Sequence, residues 1–357
     1  MTEDCYQKLA EHLDRLPGGF VSTDPGDALR LLKRLFTPEE AALALYLTIE
    51  REEARSIAER AGLPLAETEQ SLAEMARKGV IFSVHPKDGP PLYHAVPFIF
   101  GIYDFQVNRL TAELLQELDD FIHTRKLRRE SIQQIRTIPV GKSIKPHLEV
   151  LPYEQVDKLI YAENYFAVAP CICRRRKRLM GGGCDAPEES CLMFGEWAEF
   201  YVRDGRARPI DRSEVSEILA RADAANLVLQ SNNSQKSVFL CSCCGCCCGV
   251  LKTLQKHPTP SKIVASAFIA TLTPEACQRC WTCLDRCQMQ ARSKEEDHIV
   301  LNLDRCIGCG LCVTTCPGGA STLRRRTDTE HSRIPINMDA TWREIMQGQA
   351  SGKDAVK

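Results

Sequence analysis

The sequence has no apolar stretch long enough to cross a membrane. Its longest apolar segments, residues 95–103 and 263–272, are interrupted by proline, glycine or serine and are shorter than the roughly 20 residues of a spanning helix. The first five residues include two acids, where a secretory signal would carry bases. We therefore expect a cytoplasmic protein without membrane insertion.

Signatures of nucleotide and zinc-protease chemistry are also missing. The chain contains no G-x-G-x-x-G fingerprint, no G-x4-G-K-[ST] and no H-E-x-x-H, so flavin, nicotinamide, ATP and zinc-protease chemistry lack support. Charge is balanced, with 46 basic and 47 acidic residues. No overall field therefore attracts nucleic acid or an anionic membrane.

Cysteine is the residue that the sequence has in unusual number. Its 19 cysteines make up about 5% of 357 residues, below the roughly 8–10% of a secreted disulfide scaffold. Fourteen of them fall within residues 241–316. Clustered thiols in a reducing compartment indicate metal binding more than disulfide pairing.

Two cysteine runs near the carboxyl terminus share the spacing C-x2-C-x2-C-x3-C. The first run is Cys277, Cys280, Cys283 and Cys287, and the second is Cys306, Cys309, Cys312 and Cys316. Thiolates at this spacing can wrap a tight loop around one face of an iron–sulfur cubane while backbone amides face its sulfides. Zinc knuckles are the alternative, but four-ligand zinc sites do not explain a duplicated eight-cysteine pattern.

Residues 273–323 resemble the bacterial-type dicluster ferredoxin domain. The resemblance implies two [4Fe-4S] clusters, with the fourth cysteine of each run binding the other cluster. It assigns Cys277, Cys280, Cys283 and Cys316 to cluster 1, and Cys306, Cys309, Cys312 and Cys287 to cluster 2. The second run matches fully, with Gly308, Gly310 and Pro317. The first run differs by Gln288 in place of proline, and by Arg279 and Trp281 around the central cysteine.

A central field of cysteines precedes these runs. Cys171, Cys173, Cys184 and Cys191 surround three glycines at 181–183, which allow the loop to fold back on itself. A third [4Fe-4S] cluster is the first interpretation of this group, and structural zinc is the second.

A denser cysteine loop follows at residues 241–248. It contains Cys241, Cys243, Cys244, Cys246, Cys247 and Cys248. Neighbouring side chains cannot all face one ion, so we expect part of this loop to bind a further cluster, alone or with the preceding group. Two or three of the six could instead be buried structural thiols.

Five consecutive bases, Arg174 to Arg178, follow Cys173 directly. Such a run is often a solvated surface. Alternatively, its positive charge could raise the potential of a nearby cluster and dock an acidic electron carrier.

Residues 37–103 resemble a winged helix. Thr37 has the position of a helix N-cap, residues 62–64 break the chain, and a second helix is expected at 65–78, followed by strands at 80–82 and 92–96. The helix after the turn carries three acids against two bases, whereas a DNA-reading helix needs a neutral or basic face. We therefore expect this module to pack or to bind protein, and do not expect DNA binding.

The predicted fold class is α+β. We expect a helical, winged-helix-like domain at 1–136, a cysteine-rich α/β domain at 137–262 that begins with an irregular linker at 137–152, a dicluster ferredoxin domain at 263–325 and a polar tail at 326–357. This order resembles that of uncharacterised multi-cluster ferredoxin-like proteins of anaerobic bacteria, and the resemblance implies a redox function.

The expected function is an iron–sulfur protein that relays single electrons to or from a redox partner. One alternative is an oxidoreductase with a substrate-binding cluster in the region of Cys171 to Cys248. Another is a redox-sensing DNA regulator. The sequence identifies no small-molecule substrate.

Overall fold

The computed structural model describes residues 2–126, 130, 132–144, 148, 150–327 and 334–351. They form two compact units: unit 1 contains the described residues of 1–132, 203–206 and 339–357, and unit 2 contains those of 133–202 and 207–338. Both helices and strands are present, so the fold is of the mixed α+β class. No helix in the described part of the chain is sufficiently long and apolar to cross a bilayer.

The α-helices of the described residues are α1 (Thr2–Asp14), α2 (Pro25–Leu35), α3 (Pro38–Ala44), α4 (Ala54–Ala61), α5 (Leu65–Lys78), α6 (Tyr103–Phe105), α7 (Ala112–Thr124), α8 (Val156–Tyr161), α9 (Ile172–Leu179), α10 (Gly195–Arg203), α11 (Arg212–Ala224), α12 (Gly249–Lys256), α13 (Thr282–Asp285), α14 (Leu311–Thr314) and α15 (Met338–Ala350). The strands are β1 (Glu52–Glu53), β2 (Phe82–Val84), β3 (Leu92–His94), β4 (Ile135–Ile138), β5 (Phe166–Pro170), β6 (Glu189–Phe194), β7 (Arg208–Ile210), β8 (Val228–Asn232), β9 (Phe239–Cys243), β10 (Phe268–Leu272), β11 (Arg292–Glu295), β12 (His298–Leu301) and β13 (Ser321–Arg325).

In unit 1, helices α3 to α5 and a small sheet occupy the segment 37–103, in which helices followed by a hairpin were predicted. Helix α3 begins with a capping box, in which Glu40 N donates to Thr37 Oγ1 at 3.2 Å and Thr37 N donates to Glu40 Oε2 at 2.8 Å. Helix α5 spans the predicted residues and ends at Gly79, which has a φ of 76°. The three strands pair in the order β1-β3-β2.

The expected polar tail at 326–357 is corrected in part by the structure. Residues 338–350 form helix α15, whose Thr341, Trp342 and Ile345 are buried in unit 1. These residues recur at helical spacing, so α15 has a buried face although the segment as a whole is rich in polar residues. Residues 328–333 and 352–357 of the expected tail lie outside the described residues.

In unit 2, six antiparallel strands form the main sheet in the order β4-β8-β9-β6-β5-β7. The predicted irregular linker at 137–152 is wrong at its start, because residues 135–138 form edge strand β4 of this sheet. The apolar residues Phe239 and Leu240 before the cysteine loop begin strand β9, which continues into that loop as far as Cys243.

The carboxyl-terminal part of unit 2 contains two antiparallel strand pairs, β10 with β13 and β11 with β12. Ile307 and Leu311 of the second cysteine run belong to the same hydrophobic core as Leu192 and Leu240 of the main sheet. The two cysteine-rich parts of the chain therefore share one core.

Candidate metal centres

The two ferredoxin-type loops adopt the same unusual backbone conformation. Gly308 and Gly310 have φ values of 70° and 75°, and a Cβ on Gly308 would lie 2.0 Å from the carbonyl oxygen of Phe268. Arg279 and Trp281 occupy the equivalent places in the first run, with φ values of 54° and 62°. Side chains at such positions cost of order 1–2 kcal/mol each, so the first loop keeps its shape against local strain.

The four cysteines that the resemblance assigns to cluster 1 lie around one cavity. Cys277, Cys280, Cys283 and Cys316 all line it, and Cys280 is exposed. Ser321 N donates to Cys316 Sγ at 3.4 Å, which is a backbone donor of the kind that stabilises a thiolate. Lys294 Nζ lies 4.4 Å from the ring centroid of Trp281. This group therefore lies near the protein surface.

The four cysteines assigned to cluster 2 are more deeply enclosed. Burial raises the pKa of Cys309 well above its ordinary value, and the neighbouring charges of Cys312, Cys287 and Cys306 add to the effect. Burial likewise raises the pKa of Cys312 to about 11. Ala270 N donates to Cys306 Sγ at 3.3 Å, and Ala291 N donates to Cys287 Sγ at 3.1 Å. These thiols are costly to ionise alone, and a bound cation offsets that cost.

A buried arginine, Arg292, faces thiols of both groups. Its Nη1 atom lies 4.0 Å from Cys283 Sγ. Burial would lower the pKa of Arg292, but the thiolates of Cys312 and Cys283 outweigh burial and raise it. Its Nη2 atom is buried without a hydrogen-bond partner among the described residues. Arg292 therefore places one fixed positive charge beside both candidate clusters. No motif in the sequence singles out Arg292, because its importance comes from its position at the start of strand β11.

Six cysteines of the central field, called the ring below, influence one another electrostatically in a closed sequence within unit 2. These interactions run in the order Cys171, Cys173, Cys248, Cys243, Cys241, Cys191 and back to Cys171. Cys191 of β6 is the cross-strand partner of Cys241 of β9, and Cys243 lies two residues further along the same face. Cys171 and Cys248 are the N-caps of α9 and α12. Sheet register and two helix starts thus bring distant residues together.

The pKa values of these six thiols alternate around the ring. Contacts with Cys173 and Cys191 hold the pKa of Cys171 well below its ordinary value, and contacts with Cys191 and Cys243 lower the pKa of Cys241 to about 6. The thiols between them have raised pKa values because they donate to these thiolates. The N-termini of two helices add partial positive charge. The ring is suited to hold negative charge.

Gln230 extends the polar surroundings of the ring. It is the cross-strand partner of Cys241, and its Oε1 atom lies 3.9 Å from Cys248 Sγ. The residue is 2% exposed, and its Nε2 atom has no hydrogen-bond partner among the described residues. An unpaired buried amide donor costs about 1–3 kcal/mol, and a sulfide or thiolate acceptor would remove that cost.

A second group in the central field consists of four cysteines. Their Sγ atoms all lie within 4.8 Å of one another, and the members are Cys184, Cys244, Cys246 and Cys247. Three of them, Cys184, Cys244 and Cys247, pack with the buried Ala222 and Leu227. Burial raises the pKa of Cys246 to about 11, and hydrogen bonds with its neighbours contribute.

The structure therefore divides the central field differently from the sequence analysis. The predicted set Cys171, Cys173, Cys184 and Cys191 is separated, since Cys184 has its thiol contacts with Cys244, Cys246 and Cys247. The reason is strand pairing: β6 carries Cys191 to β9, whereas Cys184 lies in the loop before β6. All six cysteines of the 241–248 loop lie in one group or the other.

The five-base run after Cys173 is not a continuous solvated face. Arg174 is fully buried and donates to Ser190 Oγ and Ser242 O, both at 2.6 Å. Burial would lower its pKa, but thiolates of both central groups, including Cys171 and Cys244, outweigh burial and raise it. Arg175 and Arg178 form ion pairs with Glu188. The solvated-surface interpretation is therefore wrong for this run as a whole.

Comparison with known proteins agrees with the iron–sulfur assignment of the carboxyl-terminal region. Residues 299–322 match the family described as 4Fe-4S binding domain. The chain is 37% identical over 118 residues to hydrogenase-4 component A of Escherichia coli, covering 32% of this chain and 51% of that protein. It is 33% identical over 84 residues to an uncharacterized ferredoxin of Methanocaldococcus jannaschii, covering 23% and 49%.

A third relative is the polyferredoxin-like subunit of the aliphatic sulfonate oxidoreductase of Pyrococcus furiosus. It is 35% identical over 86 residues, which cover 21% of this chain and 50% of that subunit. The chain thus spans about half the length of these relatives. No solved structure matches. The family match and the relatives support [4Fe-4S] clusters and an iron–sulfur electron-transfer role for this chain.

Proposed function

We propose that the chain relays single electrons through two [4Fe-4S] clusters and a further iron–sulfur cluster in unit 2, to or from a redox enzyme. Cys277, Cys280, Cys283 and Cys316 would hold cluster 1, and Cys287, Cys306, Cys309 and Cys312 would hold cluster 2. The six-cysteine ring would hold the further cluster. Each cluster, when bound, would accept and release one electron at a time.

The observation that carries this proposal is the continuity of the cysteine groups within one core. Cys243 and Cys248 of the ring belong to a hydrophobic core against which Cys287 and Cys309 of the cluster 2 group also pack. Arg292 in turn lies beside thiols of both ferredoxin groups. The cluster 2 group is therefore the neighbour of both the cluster 1 group and the ring. This order, cluster 1 group, cluster 2 group and ring, suits stepwise electron transfer.

Electrons would enter or leave at cluster 1. Cys280 is exposed there, whereas Cys306 and Cys312 of the cluster 2 group are buried. The side chains of Arg279 and Asp297 beside this group are 62% and 79% exposed, and they offer a polar surface for a protein partner. We infer that an electron carrier docks on this side.

We further propose that residues 37–103 form a winged-helix module that binds protein or packs. Both bases of α5 are already paired: Arg77 with Glu74 at 2.6 Å, and Lys78 with Glu40 at 2.7 Å. Phosphate neutralisation supplies most of the affinity for DNA, so a helix with paired bases is poorly suited to it. The redox-regulator alternative is accordingly disfavoured.

Metal content and paramagnetic resonance test the relay. Protein purified without oxygen should contain about twelve irons per chain and reducible [4Fe-4S] signals. Replacing Cys309 by Ser should remove the signal of cluster 2, and Cys241→Ser should remove only that of the ring cluster. Cys5→Ser, a cysteine of unit 1, is the matched control.

Two results would contradict the proposal in different ways. About eight irons, unchanged by Cys241→Ser, would restrict the relay to the dicluster domain. Clusters that can be reduced but are not reoxidised by an added acceptor protein would favour the second candidate, a substrate-binding cluster. The observation that favours a substrate-binding cluster is the number of thiols, since the ring has six and a cubane uses four.

A further inference from the structure

The four-cysteine group differs in geometry from the other cysteine groups of the chain. Cys184 Sγ lies 3.7 Å from Cys244 Sγ and 3.8 Å from Cys247 Sγ, and Cys246 Sγ lies 3.7 Å from Cys247 Sγ. Among the Cys, His, Asp and Glu side chains of the described residues, these four form the one group whose ligand atoms are close enough to bind a single ion. Neither the ferredoxin cysteines nor the six-cysteine ring form such a set.

These distances correspond to ligands of a single metal ion. A tetrahedron of sulfurs about 2.3 Å from a central zinc has edges of about 3.8 Å, because the edge is about 1.63 times the bond length. In a cubane each thiolate binds a different iron, so the sulfurs lie farther apart. We propose that Cys184, Cys244, Cys246 and Cys247 bind one Zn2+ ion, separately from the iron–sulfur clusters.

The local chain is built for such a closed site. Cys244 and Cys247 form a C-x2-C pair around Gly245, which is the usual spacing in structural zinc sites. A Cβ on Gly245 would lie 2.4 Å from Gln255 Nε2, the end of a flexible side chain that would then have to move. Gly245 N donates to Gln288 Oε1 at 2.8 Å. This hydrogen bond holds the loop against residue 288.

The fourth ligand comes from a separate loop that is held in place by arginine. Arg178 Nη2 donates to Cys184 O at 3.0 Å and to Ala186 O at 2.9 Å. Gly181 and Gly183 have φ values of 77° and 115°, which allow the chain to turn back from α9 toward β6. A zinc ion would join this loop to the 244–247 loop.

Charge balance also favours this assignment. Four thiolates around Zn2+ leave two net negative charges, and the fully buried Arg174 is a cation close to them, because it donates to Ser242 O at 2.6 Å, two residues before Cys244. Since four protein ligands complete the zinc coordination, no position remains for substrate. We therefore assign a structural role to the ion.

The test begins with the full-length, unaltered protein purified without oxygen. Elemental analysis should give one zinc per chain in addition to iron, and zinc X-ray absorption should show four sulfur neighbours at about 2.3 Å. Nitrogen or oxygen neighbours, or the absence of zinc, would overturn the assignment. The zinc assignment would also be overturned if these four cysteines held a single iron without sulfide.

A matched pair of variants separates this site from the relay. Cys246 is exposed, so Cys246→Ser is the mildest change; it should reduce zinc from one per chain to near zero and leave iron, sulfide and cluster signals unchanged. Cys241→Ser should remove the iron and the signal of the ring cluster and leave one zinc per chain. Zinc that persists in Cys246→Ser, or iron lost with it, would refute the proposal. One zinc per chain in the unaltered protein, without reducible cluster signals, would count against the relay and leave the zinc site standing.

Discussion

Replacement of Arg292 by Gln should lower the reduction potentials of both ferredoxin clusters. The guanidinium is buried, and its pKa is raised, so it remains positively charged at every accessible pH. Reduction adds one negative charge to a cluster, and a nearby positive charge stabilises that state. Removing the charge therefore makes reduction less favourable, so the reduction potentials should become more negative.

The size of the shift can be estimated from the position of the side chain. Arg292 Nη1 lies 4.0 Å from Cys283 Sγ. With about 8 Å from the guanidinium to the centre of a cubane and an effective dielectric constant of about 20, the interaction is about 2 kcal/mol. Because about 1.4 kcal/mol corresponds to 59 mV for one electron, we expect each potential to fall by roughly 90 mV.

Potentiometric titration followed by paramagnetic resonance would measure both clusters in one experiment. Arg292→Lys should retain most of the potential, because it keeps the charge. Arg279→Gln is the matched control on the exposed side of the same region, where the side chain is 62% exposed; its effect should be small because water screens it. Iron content should be equal in all three variants.

The reasoning would be refuted if neither potential moved in Arg292→Gln while the iron content stayed intact. A fall in only one potential would show that the charge acts on one cluster, and the shared position would then be wrong. A rise in either potential would contradict the electrostatic argument itself.

Two further predictions concern stability. Removing metal with a chelator should unfold much of unit 2, since its buried thiols lose their cation, while α1 to α7 keep their structure; an unchanged circular dichroism spectrum would contradict this. Trp342→Ala should lower the free energy of unfolding by about 3–5 kcal/mol, because Trp342 is fully buried in unit 1. Chemical denaturation would measure this loss against Gln347→Ala on the exposed side of α15, and equal stability of the two variants would show that α15 does not pack.

The local parts of the fold were the most predictable. The capping box at Thr37, the break at Gly62 and the end of α5 at Gly79 are properties of short segments, and all three occur in the structure. Gly308 and Gly310 likewise have the left-handed conformation that their loop requires. In each case the residues that determine the structure are neighbours along the chain.

The partition of the central cysteines could not be predicted, because it depends on pairing between distant strands. Cys191 meets Cys241 only because β6 and β9 are adjacent, and Cys184 is drawn to a different group by a loop. Gln288 is a similar case: it replaces a proline of the related domain, yet its side chain bonds Gly245 N and Asn226 O. A pattern in one segment does not reveal which other segment it will meet.

The pairing of Cys191 with Cys241 has a consequence for biogenesis. A shift of one residue between β6 and β9 would turn every side chain of one strand to the opposite side of the sheet, and Ser190 or Ser242 would then replace a thiol in the ring. Assembly of the proposed ring cluster would consequently reject misaligned chains, whereas the cysteines of each ferredoxin loop are close in sequence and need no register between distant strands.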